Sequence, residues 1–140
     1  MPIQAKIQWQ EQVRFSGQAD SGHNVTIDGP KEAGGENAGF RPMELMLLGM
    51  GGCMAFDVLT ILKKMRQEVT AYHVNIEAER ADDPPRVYTS AKLEHVLQGK
   101  GLKASSIARA IELAETTHCS GSAMFAKTAK VTNTFRIIEE

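Results

Sequence analysis

Apolar and polar residues alternate along the first thirty positions: Ile3, Ala5, Ile7 and Trp9 share one face, Val13 and Phe15 another, Val25 and Ile27 a third. A period of two is the signature of strands, so three short strands in series are expected. Glu11-Gln12 and Asp20-Ser21-Gly22 supply the turns between them, and Asp28-Gly29-Pro30 closes the third. From Gly29 to Phe40 the larger aliphatic residues stop, and Gly34, Gly35, Gly39, Pro30 and Asn37 predict a surface loop placed to cover something.

Pro42 suits the first position of a helix, and no further proline interrupts the chain up to Arg66. Leu45, Leu47, Leu48, Met50, Met54 and Phe56 make the first half of that helix apolar nearly all round. Such a helix is buried on every side, which in so short a chain calls for a partner subunit as well as a sheet, so a dimer is expected. Gly49, Gly51 and Gly52 each cost about 1 kcal/mol relative to alanine inside a helix, so a close backbone approach or a local break is expected beside Cys53.

Alternation returns at Tyr72, Val74, Ile76 and Ala78 and again from Val87 to Leu97, with Asp82-Asp83-Pro84-Pro85 between, predicting a long hairpin. Ile107, Ala110, Ile111 and Ala114 then carry the stripe of a second helix, capped by Ser105 or Ser106. Ser120 to Lys127 predicts one or two further helical turns, and Val131, Asn133, Phe135 and Ile137 a last strand. The order βββ-α-ββ-α-β is an α+β pattern, read as one domain over residues 1–140.

Composition narrows the function. With 16 Lys+Arg against 17 Asp+Glu the net charge is -1, which lacks the basic excess of a small nucleic-acid binder. The charge-free apolar stretch from Leu45 to Phe56 is twelve residues, short of the roughly 20 that a bilayer needs, so no membrane partner is expected. Met1 to Gln10 carries no cationic segment followed by an apolar one, so a cytoplasmic location is expected, where Cys53 and Cys119 stay reduced. Sixty-six residues apart, they make neither a CxxC motif nor a metal signature, and no cofactor or resident metal is expected. Joined by His118, the cysteines would offer a thiophilic metal three ligands of unmatched geometry.

The run Pro42-Met43-Glu44-Leu45-Met46-Leu47-Leu48-Gly49-Met50-Gly51-Gly52-Cys53, followed by Cys119-Ser120-Gly121-Ser122-Ala123, resembles the OsmC/Ohr family. Ser21-Gly22-His23 and Asp57-Val58-Leu59 point, within it, to the YhfA-like branch, and the likeness extends over essentially the whole chain. The resemblance implies an intertwined homodimer in which two central helices are wrapped by β-sheet, with the paired cysteines near the subunit interface. It also implies reduction of organic hydroperoxides: a Cys53 thiolate attacks the peroxide, Cys119 resolves the sulfenic acid as a disulfide, and a dithiol reductant restores both. Thiolate, not thiol, is the nucleophile, so the first cysteine needs a neighbour that lowers its pKa.

The peroxidase branches place a carboxylate ten residues before the first cysteine, where this chain has Met43. Glu44 is one residue late, and nine residues at about 100° each turn it half-way round an unbroken helix from Cys53. For the arginine that the carboxylate orients, Arg41 before Pro42 is the better candidate and Arg14, on an early strand, the lesser. Asp57, one helical turn after Cys53, reads as a packing or capping carboxylate whose charge would raise a thiol pKa. His118 reads as a partner of the helix dipole, and His23, His73 and His95 as ordinary strand residues. The alternative is a non-enzymatic dimeric module binding a small apolar ligand between the Gly29 to Phe40 loop and the methionine-rich helix.

Overall fold

A computed structural model describes residues Met1–Glu140. The elements are β1 (Ala5–Glu11), β2 (Arg14–Ala19), β3 (Asn24–Ile27), a 3-10 turn (Lys31–Ala33), α1 (Pro42–Lys64), β4 (Val69–Arg80), β5 (Tyr88–Gly99), α2 (Ala104–Leu113), a π-helical turn (Ala114–His118), α3 (Ser120–Phe125) and β6 (Lys130–Glu139). This is the expected α+β order with the two short turns added. The chain divides into two compact units, Met1–Leu48 and Gly49–Glu140, and α1 begins in the first and ends in the second.

In the first unit the alternating segments pair as an antiparallel sheet in the order β1-β2-β3. Gly17 lies between Ile7 and Val25, where an added Cβ would stand 3.3 Å from each side chain, so its bare backbone lets this apolar row close up. Alternation does not bring burial to β1: Trp9 is 63% exposed and Ile7 61%.

The loop after β3 is ordered around one carboxylate. Asp28, buried at 3% exposure, accepts hydrogen bonds from the backbone N–H groups of Gly29 (2.8 Å), Glu36 (3.1 Å) and Ala38 (3.1 Å). Gly35 and Gly39 pass so close to the backbones of Gly29 and Thr26 that no Cβ fits at either. The Ala38 N–H leads in holding the Asp28 carboxyl below its ordinary 3.8, helped by Glu36, Gly29 and the Arg14 charge against the opposing effect of burial. A carboxylate with a depressed folded pKa stabilises above its unfolded value and loses that contribution as pH falls through the folded one. Asp28→Asn is therefore expected to lower the urea midpoint clearly at pH 7, with the gap to the parent chain closing below pH 3.8.

In the second unit β4 and β5 form the long hairpin, and β6 returns parallel to β5 by way of α2 and α3. A parallel return needs a crossover of this length. The core joins Met54, Val58 and Leu62 of α1 with Leu93 and Leu97 of β5 and Ile107 of α2. Met50, Gly51, Met54, Val58 and Leu62 form the buried face of α1, and at Gly51 a Cβ would collide with the tip of Ile76, which is the close approach the glycines foretell.

The helix runs unbroken through the glycines, with Gly49 and Gly52 facing open space, so of the two readings offered for them the close approach holds. One chain alone does not cover α1 all round, as expected of so short a chain: Met46 and Leu48 are more than half exposed and Phe56 is 73% exposed. The expectation for the start of α2 is corrected. The cap of α2 is Lys103, with no side-chain bond from Ser105 or Ser106; the Lys103 N–H is bound instead by Gln67 Oε1 at 2.9 Å. The twelve-residue apolar count also understated α1. It stopped at Asp57, whereas the helix is long and apolar enough to cross a membrane by length and composition, with a mean hydropathy of 2.0 over eighteen residues.

Candidate functional site

Cys53 stands half-buried on α1, and Asp57 follows one turn later on the same face. Cys119 reaches them from the far end of α2. That helix widens into the π turn, in which the Cys119 N–H donates to Ala114 O at 2.8 Å, spanning five residues rather than four. The backbone then leaves the helical region at Cys119, with φ -79° and ψ 102°, and the residue becomes the N-cap of α3. Its Sγ accepts the Ser122 N–H at 3.2 Å, and the side chain is 3% exposed. Gly121 makes the approach of the two helices possible: a Cβ there would stand 3.0 Å from Met50 Cα and 3.3 Å from Cys53 Cβ.

The result is a cluster of three. Both cysteines are free, and their sulfurs and an Asp57 carboxylate oxygen all lie within 4.8 Å of one another. Asp57 Oδ2 is buried without any hydrogen-bond partner, so this oxygen caps no backbone N–H. Burial, the largest cause, pushes the Cys119 thiol up to about 11; the Ser122 N–H opposes this, while Cys53 and the Asp57 charge add to it. Cys119 therefore keeps its proton at neutral pH. Its carbamidomethylation in the reduced protein is expected to be slow at pH 8 and to accelerate as pH approaches 11, followed site by site by mass spectrometry; fast labelling of Cys119 at pH 8 would contradict this.

The π turn is tied to the sheet by a chain of side chains that sequence reasoning passed over as ordinary. Tyr72 Oη donates to His95 Nδ1 at 2.7 Å, His95 Nε2 donates to Asn133 Oδ1 at 2.8 Å, and Asn133 Nδ2 donates to Glu115 Oε2 at 2.7 Å. The directions follow from the ends: a carboxylate only accepts, so Asn133 turns its NH2 to Glu115 and its oxygen to His95. His95 is fully buried, and burial holds its pKa below the ordinary 6.5, so the ring is neutral and one tautomer satisfies both neighbours. Glu115 is thus fixed four residues before Cys119. Alternation on β4, β5 and β6 places these residues on strands, but nothing in their spacing shows that three strands bring them into one chain.

The other expected site residues lie in the first unit, each with partners there. Glu44 Oε1 accepts the Arg41 N–H at 2.8 Å, closing the first turn of α1, and Arg41 Nη1 donates to Asn37 Oδ1 at 2.8 Å and Gly39 O at 3.2 Å. Glu44 therefore takes the first-turn role that its position suggests, and Arg41 ties the loop to the helix entrance. His118 is exposed, and Asp57 rather than His118 stands with the two sulfurs. The signal for Asp57 was its four-residue spacing from Cys53; for the arrival of Cys119 there was only the family resemblance.

Comparison with known proteins finds a family and a shared fold. A family described as OsmC-like protein matches residues 34–134. Protein YhfA of Escherichia coli K12 is 35% identical over 139 residues, spanning 97% of this chain and 98% of its own length. The crystal structure of a hypothetical protein from Aquifex aeolicus VF5 shares the fold with a TM-score of 0.87 at 24% identity, over 100% of this chain and 98% of the other. An organic hydroperoxide resistance protein OsmC from Legionella pneumophila does so with a TM-score of 0.71 at 15% identity, over 96% of each chain.

Proposed function

The chain belongs to the OsmC-like protein family, and from that premise we propose that it reduces organic hydroperoxides with Cys53 as the attacking thiolate and Cys119 as the resolving thiol. The observation that carries this reading is the meeting of two free sulfurs within 4.8 Å from segments 66 residues apart. Of the two, Cys53 is the more accessible, while Cys119 is buried with its pKa raised to about 11, which supports this order of events.

Cys53 S⁻ attacks the nearer peroxide oxygen, the O–O bond breaks, and the alkoxide takes a proton from solvent and leaves as an alcohol. Cys53 is now a sulfenic acid. Cys119 sulfur displaces its hydroxyl group, which departs as water with the Cys119 proton, and a disulfide forms. An external dithiol reduces that disulfide and becomes a disulfide itself. The Legionella protein of the same fold is an organic hydroperoxide resistance protein, which favours a peroxide over other thiol-reactive substrates.

The exposed apolar face of α1, with Met46, Leu48 and Phe56 around the open Gly49 and Gly52, is the surface on which a second copy would pack in a homodimer. Intact mass after equimolar cumene hydroperoxide tests the chemistry: loss of two protons per chain, restored by dithiol, is the expected result. Unchanged mass with both thiols still titratable overturns the enzyme reading and leaves a module that binds an apolar small molecule.

A further inference from the structure

We propose that Cys53, Asp57 and Cys119 bind a thiophilic divalent cation of the zinc type, with a solvent molecule completing the coordination. Two sulfurs and a carboxylate oxygen, all within 4.8 Å of one another, form the donor set. Around a tetrahedral zinc ion, with bonds of about 2.3 Å to sulfur and 2.0 to 2.2 Å to oxygen, the same donors would be about 3.5 to 3.8 Å apart. Small side-chain rotations close that gap without moving a helix.

A second observation points to a cation independently. Asp57 Oδ2 is buried and has no hydrogen-bond partner, a state that costs about 1 to 3 kcal/mol for a buried acceptor and more for a charged one. A bound cation supplies the missing partner. The donors sit on regular backbone: Cys53 and Asp57 share one face of α1, and Cys119 is held by its N-cap bond and by the π turn, which the Tyr72–His95–Asn133–Glu115 chain ties to the sheet. Two thiolates select zinc, cobalt or cadmium over magnesium and calcium, which prefer all-oxygen sites. Three protein ligands with one open position make an exchangeable site, not a closed structural one.

Anaerobic titration of the reduced protein with Co²⁺ tests this without any peroxide. One cobalt per chain is expected, with the visible bands of tetrahedral coordination, sulfur-to-cobalt charge transfer, and displacement by Zn²⁺. Asp57→Asn should weaken binding by at least about tenfold, and Cys119→Ser should remove most of the charge-transfer intensity, with folding of each variant confirmed by circular dichroism. His118→Ala should bind as the parent does. Absence of charge transfer at millimolar Co²⁺, equal affinity in Asp57→Asn, or loss of binding in His118→Ala would overturn the proposal. Should Asp57→Asn fail to fold, Asp57→Glu takes its place, and an unchanged cobalt spectrum and affinity there would count against a direct ligand. Peroxide consumption by the metal-free protein is measured separately, so failure of either reading leaves the other standing.

Discussion

Cys53→Ser should reduce hydroperoxide turnover to the uncatalysed rate, whereas Cys119→Ser should still reduce one equivalent and then stop. The asymmetry comes from chemistry. Only two thiols exist in the chain, and once Cys53 is a hydroxyl the remaining one is buried, with burial still holding its pKa above the ordinary value. In Cys119→Ser the attack on peroxide is untouched, but no sulfur stands within reach to condense with the sulfenic acid, so Cys53 gains one oxygen and accumulates in that form or a more oxidised one. Serine nearly preserves the size of either side chain, so packing is not what distinguishes the variants. Stopped-flow measurement of peroxide loss combined with intact mass reads both. Equal residual activity in the two variants would defeat the assignment of roles, and full turnover in Cys53→Ser would remove the mechanism.

Gly121→Val should damage both stability and disulfide formation. Even a Cβ at this position meets Met50 Cα at 3.0 Å, and a helix backbone cannot rotate aside as a side chain does. Valine adds two methyl groups to that collision, so α3 must shift away from α1, at a cost of about 1 to 3 kcal/mol typical of overpacking. The shift carries Cys119, the N-cap of α3, away from Cys53, whose Cβ is 3.3 Å from the same point. Gly121→Ala sets two smaller effects against each other: a gain of up to about 1 kcal/mol in helix propensity against the tight contact with Met50, leaving a net change near zero. Urea denaturation and the rate of diamide-driven disulfide formation measure the two consequences. A valine variant as stable and as readily oxidised as the parent would show that the helices are not held together at this point.

The elements were legible because their patterns are local. Tyr72 to Ala78 and Val87 to Leu97 alternate clearly enough to find β4 and β5, and the apolar residues after Pro42 locate α1 to within two residues of its end at Lys64. The pairing of Cys53 with Cys119 came from resemblance to a family, since no periodicity links residues that distant. What escaped was set by contacts between elements. The buried His95 looks the same in sequence as the strand residue His73, because its meaning comes from Tyr72 and Asn133 on neighbouring strands. The single missing hydrogen bond of Asp57 is equally invisible until both cysteines are in place. The glycines of α1 left two readings open for a related reason: their intrinsic cost allows either a close approach or a break, and only the contacts between elements show the approach of Gly51 to Ile76 with the helix continuous through Gly52.

The wide turn between α2 and α3 restricts the length of this stretch more than its composition. Glu115, Thr116, Thr117 and His118 all face solvent, and apart from the bond of Glu115 to Asn133 their replacement should be tolerated. A further residue is a different matter. The turn already absorbs one residue beyond the α-helical count, with the Cys119 N–H on Ala114 O five residues back; one more, left unabsorbed, would turn everything after it by about 100° around the helix axis, with an advance of about 1.5 Å. Cys119 would then face away from Cys53, although neither cysteine had been altered. Homologous chains that retain both cysteines but carry one residue more here would therefore have lost the meeting of the sulfurs, and a count of residues between Leu113 and Cys119 separates them from chains that keep it.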